Sequence, residues 1–566
     1  MSKPSAGRAK AAKPAPAPGH DLSPSIAIIG AGFGGLAAAI RLKDAGFQKI
    51  RVFEKADRVG GTWHYNTYPG CACDVPSQLY SFSFAPKTDW SHVYARSGEI
   101  QAYCEQLADA FQIREHIEFN REATSAEWRQ EKMKWRLTFA SGEPIEVDVL
   151  IASVGQLNEP AFPAIPGRET FASNSFHSAR WRHEVPLQGK RIGVIGTAAS
   201  AVQLIPEIAK LAQRLTIFQR SANYILPRND RALTGLDKGL TKIAPWMQRI
   251  TRNRIYWWAE WMFWGAFDPD DWRAQFFTAT ALRHMEKQVP DPVLRRKLTP
   301  DYPIGCKRIL FSDDYYPALC EPNVHLVTEP IEAIVANGVK TEKGVEPLDV
   351  LIYATGFNTS GFDWSFAVRG REGRLLKDAW KDGPEAYLGL TVKGFPNFFM
   401  TYGPNTNLGH NSILFMIEQQ ANYILQCVER MDRDNLGRIE VRPEAQDEYN
   451  RRLQAALAKT AWAGPCGSWY KTASGRITNN WMGTTRAYKH MTDRVDFSDY
   501  DLFPRVDTGE RRVTIEPPGE ADLVTAAATI AAPVAAEAAS AAAAASQAPV
   551  PAPPAADANS APREDP

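Results

Sequence analysis

The residues best suited to chemistry fall first into two glycine-rich turns. Ile26-Ala-Ile-Ile-Gly30-Ala-Gly32-Phe-Gly-Gly35 reads as an apolar strand, a tight turn and the start of a helix. In such a turn Gly30 makes the bend, Gly32 lets the backbone approach a pyrophosphate, and Gly35 lets helix and strand pack closely. The helix N-terminus then offers oriented N–H groups to the phosphates. The next apolar strand (IRVFE) ends in Glu54. A carboxylate there accepts hydrogen bonds from ribose hydroxyls and repels a 2′-phosphate. A second glycine pair follows at Gly60-Gly61, as flavoproteins show, so the first dinucleotide is read as FAD. The second turn, Gly196-Thr197-Ala198-Ala199-Ser200-Ala201, also follows an apolar strand and opens a helix. Ala201 is an accepted variant at the helix-packing position, whereas the Ala198 methyl is expected to crowd the pyrophosphate path and weaken affinity. Its following strand ends in Gln219-Arg220, with no acid. A guanidinium fork at that place suits the 2′-phosphate of NADPH.

Thiols give a rival chemistry. Cys71 and Cys73 are separated by one residue, an awkward spacing for a dithiol redox pair, so they are expected to be unpaired. His64 has no partner at metal-ligand spacing, and no metal site is expected. His410, between Gly409 and Asn411, is expected to satisfy loop hydrogen bonds.

Two dinucleotide turns require two βαβ frames. The expected fold class is therefore α/β, with two Rossmann-like dinucleotide-binding domains, one for FAD and one for NADPH, and a helical insertion. The chain is expected to begin with a disordered tail (1–24), then enter the FAD-binding domain (25–155) and the NADPH-binding domain (156–221). A helical insertion (222–322) follows, after which the chain returns to the NADPH-binding domain (323–350) and then to the FAD-binding domain (351–505). It ends in a disordered Ala/Pro-rich tail (506–566). The chain has 566 residues, enough for several domains, and 65 Lys and Arg balance 64 Asp and Glu. That balance argues against a nucleic-acid partner. Seven cysteines without paired spacing fit a reduced compartment better than a disulfide framework. No apolar run is long enough to span a bilayer, and the N-terminus lacks a signal-peptide core, so a cytoplasmic protein is expected. Within the insertion, Ile255–Phe267 (IYWWAEWMFWGAF) carries one charge, Glu260. Trp257, Trp261 and Trp264 share one helical face. The plainer reading makes this helix buried or cavity-lining; the second reading lays it weakly on a membrane surface, Arg249, Arg252 and Arg254 preceding it.

Gly60-Gly61-Thr62-Trp63, then Tyr68-Pro69-Gly70 and Asp74, continuing through SQLYSFSF, resembles a segment of the type I Baeyer–Villiger monooxygenases. Phe171, His177 and Trp181 resemble that family's fingerprint, with Ser173 and Arg182 off its pattern. Tyr302–Tyr316 resembles the segment that delivers its catalytic arginine, DVLIYATGF its interdomain linker, and Pro396–Gln419 a later flavin-contacting region. The resemblance runs from about Ile26 to Leu502. It implies that Gly61, Thr62, Trp63, Asp74 and Tyr80 lie near the flavin, that Arg308 is the catalytic arginine held by Asp74, and that Lys307 lies near the nicotinamide cofactor. It also implies an FAD- and NADPH-dependent enzyme that inserts one oxygen atom of O2 beside a ketone carbonyl, through a C4a-peroxyflavin, to give an ester or lactone. Guanidinium suits that task because it stays cationic and stabilises an anionic oxygen without losing its proton. The alternatives are an N- or S-oxygenating flavin monooxygenase, a disulfide reductase or oxidase, and a non-catalytic flavoprotein with a weakened NADPH site. Which ketone is used, and the oligomeric state, are not legible in the residues.

Overall fold

The computed structural model describes residues 23–505 apart from 236, 240–243 and 359–363. The two expected low-complexity tails lie outside the described residues, except for positions 23 and 24. Two five-stranded sheets organise the chain. The first runs Phe398–Met400, Val149–Ala152, Ile26–Ile29, Ile50–Phe53, Ile117–Glu118, and every pair is parallel. The second runs Val324–Val327, Arg214–Phe218, Arg191–Ile195, Val350–Tyr353, Asn174–His177, again parallel throughout. Their central strands are unbroken Val/Ile/Leu runs because a parallel sheet is covered on both faces. Ile26–Ile29, Val149–Ala152 and Val350–Tyr353 are buried at every position.

Helices cover those faces. Phe33–Asp44 follows the first glycine turn and packs against the 21-residue helix Ile413–Arg433, which lays its Leu414, Ile417, Ile424 and Val428 stripe on the core. Ala199–Ala209 covers the second sheet with Val202, Leu204, Ile205 and Ile208. Gln203, on that helix, donates to the Ala72 carbonyl (2.9 Å) and accepts from Tyr68 Oη (2.9 Å), so it clamps the second frame to the first.

Two expectations are corrected here. The 222–322 insertion is not purely helical: Ile225–Leu226 and Leu310–Phe311 form a parallel pair. Its Trp-rich stretch is buried on one side only: Glu260, Met262, Phe263 and Phe267 are buried, while Trp257, Trp258 and Trp261 are exposed. Pro245–Trp258 is α-helical, but Ala259–Phe263 is a π-turn and Trp264–Phe267 a 3-10 turn. This change of winding breaks the 3.6-residue period. Trp264 is thereby turned inward beside Trp462, while Trp257 and Trp261 stay 50% and 55% exposed. The second correction concerns cysteine. Cys306 and Cys466 form a disulfide across 160 residues of chain. Spacing cannot reveal a pair that only the fold brings together. Cys71 and Cys73 are unpaired and buried, as expected.

Candidate active site

A cavity of about 1220 Å3 opens at the carboxyl ends of the central strands of both sheets. Its wall takes Gly30, Glu54 and Gly155 from beyond the first sheet, and Gly196, Arg220 and Gly356 from beyond the second. Open parallel sheets bind ligands at this end.

The two glycine turns have the same backbone. Gly30 and Gly196 take φ of +101° and +107°, where a side chain would be strained. A Cβ on Gly30 would also lie 2.6 Å from the Ser153 carbonyl oxygen, and one on Gly196 2.4 Å from that of Ala354. Gly32 and Ala198 occupy equivalent N-cap places with extended backbone, φ −77° and −83°. Alanine at 198 therefore imposes no backbone strain. The packing glycine behaves differently: a Cβ on Gly35 would lie 1.9 Å from the Gly30 carbonyl oxygen, while Ala201 is accommodated fully buried.

Both sites fit a dinucleotide. Neither helix has a side-chain N-cap hydrogen bond, so the first N–H groups remain for an anion. In the first site a Cβ on Gly61 would lie 3.1 Å from Gly32 Cα, so side chains would fill the slot between these two cavity-lining residues. Glu54 is 5% exposed; its carboxylate accepts from the Ala31 N–H (2.7 Å) and the Ala56 N–H (2.9 Å). These bonds hold an acid at the strand end with lone pairs left for a ribose. In the second site Arg220 is exposed on the cavity wall. Lys307 donates to Ser221 Oγ (2.7 Å), and burial, with the nearby Arg220 charge second, pulls its ammonium below the ordinary lysine pKa. Two cations thus face one end of the cavity. Gln219 also reaches the wall, but its amide donates to the Lys297 carbonyl (2.7 Å), which fixes the strand end. Thr197, Ala199 and Ser200 line the same turn.

Arg308 and Asp74 meet in the cavity wall. Arg308 Nη2 and Nε donate to Asp74 Oδ2 at 2.5 and 3.0 Å, and the two side chains keep 32% and 26% exposure. The Asp74 charge raises the Arg308 guanidinium still further above its ordinary value. Burial alone would raise the Asp74 carboxyl, but the Arg308 charge and hydrogen bonds hold it below the usual carboxylate range. Trp63, on the short helix Thr62–Tyr65, donates its indole N–H to Tyr80 Oη (3.1 Å), so both aromatics are oriented in the same wall.

Sequence reasoning passed over several neighbours. Arg228 donates to the Cys73 carbonyl (2.8 Å) and adds positive charge near Asp74. Tyr402 Oη donates to Asn407 Oδ1 (2.7 Å), and both line the cavity. Cys306, tied to Cys466, lies two residues before Arg308, and Gly467 to Trp469 belong to the wall. Glu260 is buried, where Asn411 Nδ2 donates to it at 2.7 Å, Thr485 Oγ1 at 2.6 Å, and His410 Nε2 lies 3.2 Å away. Burial would raise this carboxyl, but those bonds hold it low. The insertion is thereby tied to the loop that brings Asn411 to the cavity. His410, expected to satisfy bonds within its loop, instead reaches Glu260 on the insertion through its Nε2. No sequence signal connects these pairs; a lone acid inside an apolar run was the single hint at Glu260.

The Phe171–Trp181 segment supplies the edge strand of the second sheet. His177 ends its edge strand and packs against Phe357, just past the linker glycine Gly356. Burial pulls its imidazole down to a pKa of about 4. The off-pattern Ser173 and Arg182 are exposed, and Arg182 pairs with Glu184 (2.7 Å), so neither reaches the cavity.

Residues 23–258 match the model of the flavin-binding monooxygenase-like family. A Baeyer–Villiger monooxygenase of Streptomyces coelicolor is 42% identical over 482 residues, covering 84% of this chain and 92% of that protein. Another from Pseudomonas aeruginosa is 42% identical, covering 86% of this chain and 93% of its own length. Among solved structures, cyclohexanone monooxygenase from Rhodococcus sp. Phi1 bound to NADP+ superposes with a TM-score of 0.77 at 30% identity, covering 85% of this chain and 99% of that one. Oxidized steroid monooxygenase bound to NADP gives 0.76 at 31%, with the same coverage. With identity of this level over nearly the full length of its relatives, the chain belongs to the type I Baeyer–Villiger monooxygenases, a family of NADPH-dependent flavoprotein monooxygenases.

Proposed function

We propose that this chain holds FAD at the Gly30–Gly35 turn and NADPH at the Gly196–Ala201 turn, and converts a ketone and O2 to an ester or lactone at Arg308. The observation that carries the reading is the Arg308–Asp74 pair in the wall of a cavity that reaches both turns. FAD held at the first turn would supply the activation of O2, and NADPH at the second the reducing equivalents. The chain's own residues supply position and charge. Glu54 holds a ribose, and the N–H groups at Phe33 and Ala199 face the two pyrophosphates. Arg220, with Lys307 beside it, selects the 2′-phosphate. Arg308 stabilises negative charge on oxygen while keeping its proton, because its guanidinium stays cationic at any working pH. Asp74 fixes the plane of that guanidinium and tempers its charge between half-reactions. The substrate class is a ketone with apolar bulk, which Trp63, Ile413, Leu414 and Trp469 in the wall would face.

The test has two stages. The holoenzyme is mixed with NADPH without oxygen, and flavin absorbance is followed; then air and a panel of cyclic, linear and aryl ketones are added and products identified. Bleaching followed by ester or lactone formation is expected. Failure to bleach would end the monooxygenase reading. Oxidation of amines and sulfides with no ketone converted would favour an N- or S-oxygenating enzyme.

A further inference from the structure

We infer that the outward face of the helical insertion is a docking surface for an anionic lipid bilayer. Seven of the ten exposed large apolar side chains among the described residues lie between positions 246 and 276. They are ordered, not scattered. On the helix Pro245–Trp258, Trp246, Ile250 and Trp257 recur at helical spacing and are 62%, 50% and 50% exposed. Trp261, within the π-turn, extends this stripe and meets Trp272, whose ring in turn meets Phe276. A soluble surface rarely concentrates large apolar groups in this way without a partner.

The face cannot simply rotate inward, because the opposite side of the helix is already committed. Gln248 donates to the Lys87 carbonyl (2.6 Å), Arg252 to the Gln78 carbonyl (2.9 Å), and Tyr256 bonds Thr485 Oγ1 (2.8 Å). At the end of the π-turn, Phe263 stacks on Phe277 within the core.

Charge identifies the occupant. The helix Pro245–Trp258 has no carboxylate, and Arg249 and Arg254 are exposed beside the aromatic stripe. Arg486, from Thr485–Thr492, lies over the Trp257 ring (5.1 Å). Tryptophan prefers the headgroup level, where its ring is apolar and its N–H stays wet, and arginine pairs with lipid phosphate. A second copy of the chain is a poorer match, since a two-fold contact through this face would set arginine against arginine. Asp268 and Asp270, the nearest exposed acids in sequence, lie in the turn between Trp261 and Trp272, beyond the helix that carries Arg249 and Arg254. No helix among the described residues is long and apolar enough to cross a membrane, so the contact would lie in the interface plane.

The test is flotation of the full-length holoenzyme with phosphatidylcholine vesicles, with and without phosphatidylglycerol. Preferential binding to the anionic vesicles, weakened by salt, is expected, with a blue shift of tryptophan fluorescence. The variant Trp246→Ser/Trp257→Ser/Trp261→Ser should lose at least about tenfold in affinity while keeping its flavin absorbance. Should that variant fold poorly, Arg249→Gln/Arg254→Gln should lose the preference for anionic vesicles. Absence of binding to either vesicle, or unchanged binding by both variants, would overturn the proposal. So would a wild-type dimer that the tryptophan variant dissociates and that floats with neither vesicle.

Discussion

At the residue scale, charge placement separates the functional side chains from the merely present ones. Arg220 and Glu54 end equivalent strands of two frames, and their opposite signs carry the proposed choice of a different ribose in each. Arg220→Gln should raise KM for NADPH about 10- to 100-fold, the cost of one charge-assisted hydrogen bond, and leave KM for NADH unchanged. Steady-state kinetics with both cofactors would check this, and an equal loss for both would contradict it. Glu54 and Arg220 were legible because a strand end is a local feature. Asp74 and Arg308 were legible through their flanking motifs alone, since 234 residues separate them. Arg228 and Glu260 were missed for the same physical reason: a side chain that acts through a distant partner leaves no local pattern.

Elements decide how exact each residue must be. The two turns share a backbone, yet the first helix packs so closely that a methyl at Gly35 would meet the Gly30 carbonyl at 1.9 Å. Gly35→Ala should therefore yield protein depleted in FAD. Ala201→Gly, at a position that already holds a methyl, should cost only about 1 kcal/mol of helix stability. Flavin content and denaturant midpoints of the purified variants give the comparison. The edge strand ending at His177 carries a pH dependence. Its pKa, pulled down to about 4 by burial, lies below the unfolded value of about 6.5. The unfolded chain thus binds the extra proton first, and stability falls as pH drops from about 6.5 toward 4. Replacing His177 by Asn should flatten that part of the stability–pH curve by about 2–4 kcal/mol. An unchanged slope would mean that the strand end opens to water. Apolar strand runs made both sheets readable, as parallel sheets bury both faces. The Trp-rich helix misled, because a π-turn shifted Trp264 off the face that simple helical counting assigns.

On the scale of the whole molecule, three long-range ties hold the cavity together: Gln203 to the Tyr68–Ala72 segment, Glu260 to Asn411 and Thr485, and Cys306 to Cys466. Replacing both bonded cysteines by Ser should lower stability by about 2–4 kcal/mol, seen as a shorter half-life at elevated temperature. An unchanged half-life would show that packing alone fixes the Arg308 loop. All three ties converge on a wall whose proposed working feature is one cation held by one acid. The most direct test of that feature is the Arg308→Ala holoenzyme, with its two half-reactions measured separately. NADPH should still reduce its flavin at close to the wild-type rate, while ester or lactone formation falls roughly 10²–10³-fold, or about 3–4 kcal/mol, and hydrogen peroxide accounts for the oxygen consumed. Full ketone turnover by Arg308→Ala would contradict the central assignment.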